Sequence, residues 1–415
     1  MTDADTTEIA ARATSALGLF AMIAIAWLAS TDRRRVPWRT VASCTAIQVV
    51  LAVVLLRTGF GRGFFVAAND AVNAFIAYTD AGVRFVFGAL ADTGFSFVVN
   101  VLPIIVFMGS LFAVLYHLRV VQPVVALLAR ALARTLGISG AESLSAVANV
   151  FLGMVEAPLL IRPYLAGMTR SELFCVMTTG MAGIAGSVLI AYVQMLGGGD
   201  FAGHLVISSV LTAPAGILMA KVMVPETGVP ATGAAGHATV EPTSLNVIDA
   251  AATGAADGLR VAAYVGATLV AFVAGIAMLN DGLSAAGAVV GIEGLTLQRI
   301  LGVALAPVAW LLGIPWAEAT RVGALLGVKT VLNEFLAYRE LGELIRAGAL
   351  SPRSAVIAAY ALCGFANFGS LAILLGGLGG MAPERRRDVA ELGMRSILAG
   401  SLATFMTACL AGVLL

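Results

Sequence analysis

The chain is written in long apolar stretches separated by short polar ones, and the stretches are of two kinds. Runs that meet the roughly 20 apolar residues a membrane span needs lie at 13–30, 37–57, 96–118, 172–196, 203–223, 258–280, 354–379 and 390–415. Three further regions are apolar but punctuated. Residues 64–92 carry Asn69, Asp70, Asn73, Asp80 and Arg84 at intervals that predict an interfacial amphipathic helix. Residues 142–165 and 313–341 enclose Glu156 and Glu334, each with Pro or Gly nearby. Non-helical backbone is tolerated at membrane depth only beside protein or a water-filled cavity, so both regions predict re-entrant hairpins.

The hairpins head two similar halves. Glu156 is followed by a span interrupted at Gly183-Ile184-Ala185-Gly186-Ser187, and Glu334 by a span interrupted at Gly364-Phe365-Ala366-Asn367-Phe368-Gly369-Ser370. Glycine weakens a helix by about 1 kcal/mol and lets backbone groups turn toward a ligand. Matched hairpins and glycine-broken helices predict an all-α polytopic membrane protein with an inverted-repeat transporter fold and a midplane site. The expected division is 1–95 as N-terminal scaffold and interfacial helix, 96–223 as the first half of a transport core, 224–246 as a cytoplasmic linker and 247–415 as the second half, with the broken helix at 354–379. The linker is polar and rich in Gly, Pro and Thr, and His237 within it reads as solvated.

Composition agrees with the pattern. Of 415 residues, 60% are hydrophobic and 12% charged, against about 25% charged in a soluble domain. Arg33-Arg34-Arg35 with Arg39 follows the first span, and Arg385-Arg386-Arg387 precedes the last. The positive-inside rule makes both loops cytoplasmic and, across eight spans, puts both termini outside. The leader carries Asp3, Asp5 and Glu8, whereas a cleaved signal peptide needs positive charge. A net charge of +1 with no basic-aromatic patch points away from nucleic acid. Cys44, Cys175, Cys363 and Cys409 stand singly in apolar runs and read as small buried hydrophobes rather than a disulfide or metal set. His117 and His204 lie near span ends, where a histidine meets water. No HExxH occurs, and nothing pairs a nucleophile with a base. No catalytic residue is therefore assigned, and an intramembrane enzyme is the minor alternative. A channel would want a continuous polar pore lining.

The candidate chemistry gathers in Gly327-Val328-Lys329-Thr330-Val331-Leu332-Asn333-Glu334-Phe335-Leu336-Ala337-Tyr338. An ionised carboxylate at membrane depth costs about 2.5–3.5 kcal/mol on insertion scales unless it faces a partner or a wet cavity. Either Lys329 and Glu334 pair with each other or lie at a membrane surface, or they mark a ligand or ion site.

These residues carry a resemblance. Gly327-x-Lys329-x-x-x-Asn333-Glu334-Phe335-x-Ala337-Tyr338 resembles the signature of the concentrative nucleoside transporter family, with Leu336 where valine is usual. Gly153-Met154-Val155-Glu156-Ala157-Pro158-Leu159, running into Ile161-Arg162-Pro163-Tyr164, is similar to that family's first hairpin. Leu362-Cys363-Gly364-Phe365-Ala366-Asn367 and the stretch Ala372 to Gly379 resemble its broken seventh span. The resemblance covers nearly the whole chain. It implies a homotrimer in a lipid bilayer, eight spans, three interfacial helices, two opposed hairpins and cation-coupled import of nucleosides across the inner membrane, with no cofactor beyond the coupling ion.

Residue by residue, the resemblance implies a ribose end made by Glu334, Asn367 and Ser370, with Phe365 beside them. A carboxylate, an amide and a hydroxyl suit adjacent ribose hydroxyls as acceptors and donors. At the base end it implies Glu156 and Val188, while Met154 and Val155 stand where the family usually has Gln and Thr. An apolar site discriminates weakly, so base preference is expected to be altered or broadened, and another ribosyl ligand stays open. The implied sodium cage uses the Asn149 side chain, carbonyls at Leu152 and Ile184, and a hydroxyl at the position held here by Gly183. A hard cation needs oxygen ligands, so water or a carbonyl would replace that hydroxyl. Proton coupling through Glu156 or Glu334 is the alternative.

Overall fold

The computed structural model describes residues 3–92, 96–198, 201–230, 232, 244–289 and 291–415. Most of the expected linker, His237 included, lies outside these residues. Three helices open the chain: α1 (Asp3–Leu28), α2 (Trp38–Arg57) and α3 (Gly59–Phe87). They pack around two long helices that come later, α11 (Phe201–Met223) and α18 (Arg386–Leu414), whose middles are almost wholly buried.

Between and after these the chain runs through one plan twice. The first pass is α4 (Leu102–His117), α5 (Val121–Leu136), a hairpin of α6 (Gly140–Ala148) with α7 (Glu156–Leu159) and α8 (Arg162–Leu165), a broken helix α9 (Arg170–Ala182) and α10 (Gly186–Met195), then α11. The second is α12 (Val247–Val289), α13 (Leu297–Leu311), a hairpin of α14 (Trp316–Val331) with α15 (Glu334–Arg346), a broken helix α16 (Pro352–Leu362) and α17 (Phe368–Met381), then α18. Local chemistry sets the starts. Ser139 with Glu142 and Thr169 with Glu172 form capping boxes before α6 and α9. Asn333 and Asn367 are extended N-caps of α15 and α17, accepting from the backbone N–H of Leu336 at 2.9 Å and of Ser370 at 2.7 Å.

The arginine-rich loops share one end of the molecule. Arg395 donates to the Ala29 carbonyl at 2.8 Å, and the Thr31 N–H to the Met223 carbonyl at 2.9 Å. Arg170 pairs with Asp388 and Glu391, and Arg385 reaches the Ala166 and Met168 carbonyls. Lys221 and Glu142 form a buried ion pair at this end, tying α11 to the base of the first hairpin, and Lys221 also donates to the Ser171 hydroxyl at 3.0 Å. The other end holds the start of α1 and the end of α18. There Arg12 donates to the Leu415 carbonyl at 2.9 Å and Ser15 to that of Leu312 at 2.8 Å.

Among the described residues, eight helical segments are long and apolar enough to cross a membrane. They include residues 64–92 and leave out 354–379. Residues 64–92 belong to a continuous helical segment, Gly59–Asp92, that is span-like by length and composition. Its polar residues have local uses: Asn69 accepts from the Gly203 N–H at the start of α11 at 2.6 Å, and Arg84 pairs with Asp92. Residues 354–379 form the broken helix expected there, as α16 and α17, each too short to cross alone. The segment expected at 258–280 is the 43-residue α12, about 64 Å long at 1.5 Å per residue and far longer than a hydrocarbon core of about 30 Å. It crosses α4 at small residues, where a Cβ on Gly254 would stand 2.5 Å from the Gly109 carbonyl oxygen. Finally, α13 reverses into α14 through 115°, at Gly313 with φ +94°.

Candidate functional site

The two broken helices cross at their breaks. The Phe365 N–H donates to the Gly183 carbonyl at 3.3 Å, and a Cβ on Gly364 would stand 2.6 Å from the Ala182 carbonyl oxygen. Only a residue without a side chain lets the backbones approach this closely. Around the crossing lie two polar clusters, one from each hairpin.

The first cluster centres on Glu334, which is 3% exposed. Its position at the start of α15 places the carboxylate at a helix N-terminus, where negative charge is favoured. One carboxylate oxygen accepts from the Tyr192 hydroxyl at 2.9 Å and the other from the Asn367 amide at 2.7 Å. Asn367 therefore does two things at once: its amide nitrogen holds Glu334 while its oxygen caps α17 through the Ser370 N–H. Ser370 is buried and enters this network through its backbone. Phe335 packs edge-on against Tyr192, with ring centroids 4.8 Å apart.

Lys329 is not the partner of Glu334. Its ammonium donates to the Ala361 carbonyl and the Thr404 hydroxyl, both at 3.1 Å, and lies 5.7 Å from the Phe405 ring centre. A cation beside the last carbonyls of α16 opposes the negative end of that helix, so the lysine serves the break rather than the carboxylate.

The second cluster centres on Asn149, at the tip of the first hairpin. Its amide nitrogen donates to the Thr179 carbonyl at 2.8 Å, in the last turn of α9. Its oxygen is buried and has no hydrogen-bond partner among the described residues. A Cβ on Gly183 would stand 2.3 Å from that amide nitrogen. A free amide oxygen beside the end carbonyls of a broken helix offers hard oxygen ligands of the kind a small cation takes.

The remaining residues of the first hairpin spread out. Met154 is buried against Gly180 of α9, Val155 packs on Gly377 of α17, and Val188 is buried on α10. Glu156 folds back over Gly153 and opens on a cavity of about 490 Å³ between this hairpin and α4 and α12. Leu152, Phe112, His117 and Asp257 also line it. His204, expected to meet water, is half-buried instead, with Phe65 at 5.0 Å and Tyr360 at 5.8 Å between ring centroids. These neighbours come from α3 and α16, with the Tyr360 hydroxyl 3.3 Å from the His204 Nδ1, so proximity to a span end could not reveal them. The four cysteines are buried and free. Tyr192 had no signal in the sequence, since one aromatic residue in an apolar helix reads as core.

Comparison with known proteins gives a consistent result. Residues 204–412 match the family described as Na+ dependent nucleoside transporter C-terminus, residues 17–90 its N-terminal counterpart, and residues 98–199 a nucleoside recognition family. The chain is 44% identical over 96% of its length to an uncharacterized transporter of Bacillus subtilis, covering 98% of that protein. It is 40% identical over 96% of its length to the nucleoside permease NupC of Helicobacter pylori, covering 97% of it. Among solved structures it is similar to CNTnw in an inward-facing substrate-bound state, at TM-score 0.90 and 45% identity, covering 97% of this chain and 98% of that one. A variant of the same transporter in an outward-facing state matches at TM-score 0.93 and 44% identity, covering 98% and 99%.

Proposed function

The chain belongs to the concentrative nucleoside transporter family, a multi-pass transporter family and not an enzyme family, and on that premise we propose that it is a sodium-driven symporter importing nucleosides across the bacterial inner membrane. The observation that carries this reading is Glu334, a buried carboxylate held on both oxygens by Tyr192 and Asn367 at the crossing of two broken helices. The carboxylate, with about four acceptor sites, keeps acceptor capacity for a ribose hydroxyl. Asn367 and Ser370 complete the sugar end, and Phe365 flanks it. Glu156, Val188, Met154 and Val155 form the base end.

Sodium is taken by Asn149 with carbonyls at Leu152 and Ile184. The unpartnered Asn149 oxygen and the family's sodium dependence favour it over a proton. Gly183 supplies no hydroxyl, so water completes the cage and sodium binds weakly. The working unit is a homotrimer, with lipid around it. Uptake into proteoliposomes tests the whole reading: a labelled ribonucleoside should accumulate above equilibrium under an inward sodium gradient. Equilibration without accumulation would make the protein a facilitator. Transport of free ribose or free bases in preference to nucleosides would refute the substrate assignment.

A further inference from the structure

The sugar end has a member from the first half of the chain. Tyr192 lies on α10, one turn beyond Val188, and is fully buried. Its ring is fixed from two sides, stacked on Tyr338 at 4.5 Å and 18° and set edge-on to Phe335 at 4.8 Å and 69°. A ring clamped in this way has one place to put its hydroxyl, and that place is 2.9 Å from the Glu334 carboxylate. Tyr338 carries a similar phenol in the same stack but spends it elsewhere, on the Ala359 carbonyl at 2.8 Å.

We propose that Tyr192 is a positioning residue for sugar selection, its hydroxyl fixing which face of the Glu334 carboxylate is offered to the ribose. This rests on the ribose assignment of Glu334 given above. A carboxylate has about four acceptor sites. Tyr192 and Asn367 take one on each oxygen, from two different helices, and the Glu334 backbone N–H also reaches the carboxylate. Without the Tyr192 hydroxyl, Asn367 is the one side-chain donor left and the plane of the carboxylate is less firmly set. Two hydroxyls fixed on a ribose need two acceptors fixed in one plane, so the second donor converts a flexible acceptor into a selective one. The helix whose Val188 faces the base thereby also orders the sugar site.

The test is a binding series on the full-length protein in detergent or nanodiscs, using a ribonucleoside and its 2′,3′-dideoxy analogue. Tyr192→Phe keeps the ring and its stacking and removes only the donor. The ribonucleoside should lose about tenfold in affinity, equal to about 1.4 kcal/mol, while the dideoxy analogue, which makes no use of the carboxylate, changes little. The ratio between the two ligands should therefore fall. In a Glu334→Gln background the same substitution should have a much smaller effect, because the residue acts through the carboxylate. Tyr338→Phe should leave the ratio unchanged. Should Tyr192→Phe fail to fold, a fluorinated tyrosine placed at 192 keeps the hydroxyl and strengthens it as a donor, and it should shift the same ratio. Equal loss for both ligands, or an unchanged ratio with the fluorinated residue, overturns the proposal. A wild type that binds no nucleoside overturns the functional reading instead.

Discussion

Gly183 is the place where one added atom should report on the coupling ion. A Cβ there would sit 2.3 Å from the Asn149 amide nitrogen and 3.5 Å from the Thr179 carbonyl oxygen. The amide must then turn away and give up its 2.8 Å bond to Thr179, a loss of about 1 kcal/mol for a neutral hydrogen bond. Gly183→Ala should suffer that loss with nothing in return, lowering Tm by about 1–2 °C for a chain of this size. Gly183→Ser adds the same Cβ but also a hydroxyl beside the end carbonyls of α9. A seated cation can then re-engage the displaced amide through its oxygen. A tenfold gain in sodium affinity would add up to about 1.4 kcal/mol of stabilisation in sodium. The assay is thermal unfolding of wild type and both variants in sodium chloride and in choline chloride at equal ionic strength. The serine variant should match alanine in choline and recover in sodium, reaching half its effect at lower sodium than wild type. Identical behaviour of serine and alanine in both salts would refute the cage at Asn149. A wild type already saturated at low-millimolar sodium would refute the weak binding ascribed to Gly183.

Three other outcomes follow from the same geometry. Glu334→Gln weakens a charged hydrogen-bond acceptor worth about 1.5–3 kcal/mol per bond, so ribonucleoside uptake should fall by about tenfold or more in transport assays, with free bases poor ligands for the wild type. Wild-type competition series should show a flat or purine-leaning base preference, within about tenfold across bases; Met154→Gln with Val155→Thr should sharpen it toward uridine-like ligands. Lys221→Met leaves Glu142 buried and unpaired, which costs about 3–5 kcal/mol; thermal unfolding should show a drop of several degrees, partly recovered by adding Glu142→Gln.

What could be read from the chain was chemistry out of place. Glu334 and Lys329 stand out because ions are scarce in apolar sequence, and the breaks at Gly183 and Gly364 because glycine clusters interrupt spans. Asn367 was legible through its motif, although its double use as cap and carboxylate donor needed coordinates. Tyr192 was not legible, because its partner is 142 residues away and an aromatic residue looks alike in a core and in a site. The pairing of Lys221 with Glu142 was hidden for the same reason: each sits near a helix end, where a charge is ordinarily left to water. The helix that the polar residues of 64–92 predicted is there, but what those residues touch was not legible. Asn69 is in fact occupied by the backbone of another helix, and such bonds carry no sequence pattern.

The bond between Phe365 and Gly183 has a thermodynamic corollary. The two unwound segments share a backbone hydrogen bond, so neither can shift without the other registering it. Events at the Asn149 end and at the Glu334 end are in this way states of one object. Where the two ends bind a cation and a sugar as proposed, linkage imposes a symmetry that no choice of side chain can remove: the factor by which a cation tightens the hold on the sugar is the factor by which the sugar tightens the hold on the cation. Under the proposed reading a weak cation cage does not entail weak coupling, since the depth of each well and the exchange between them are separate quantities.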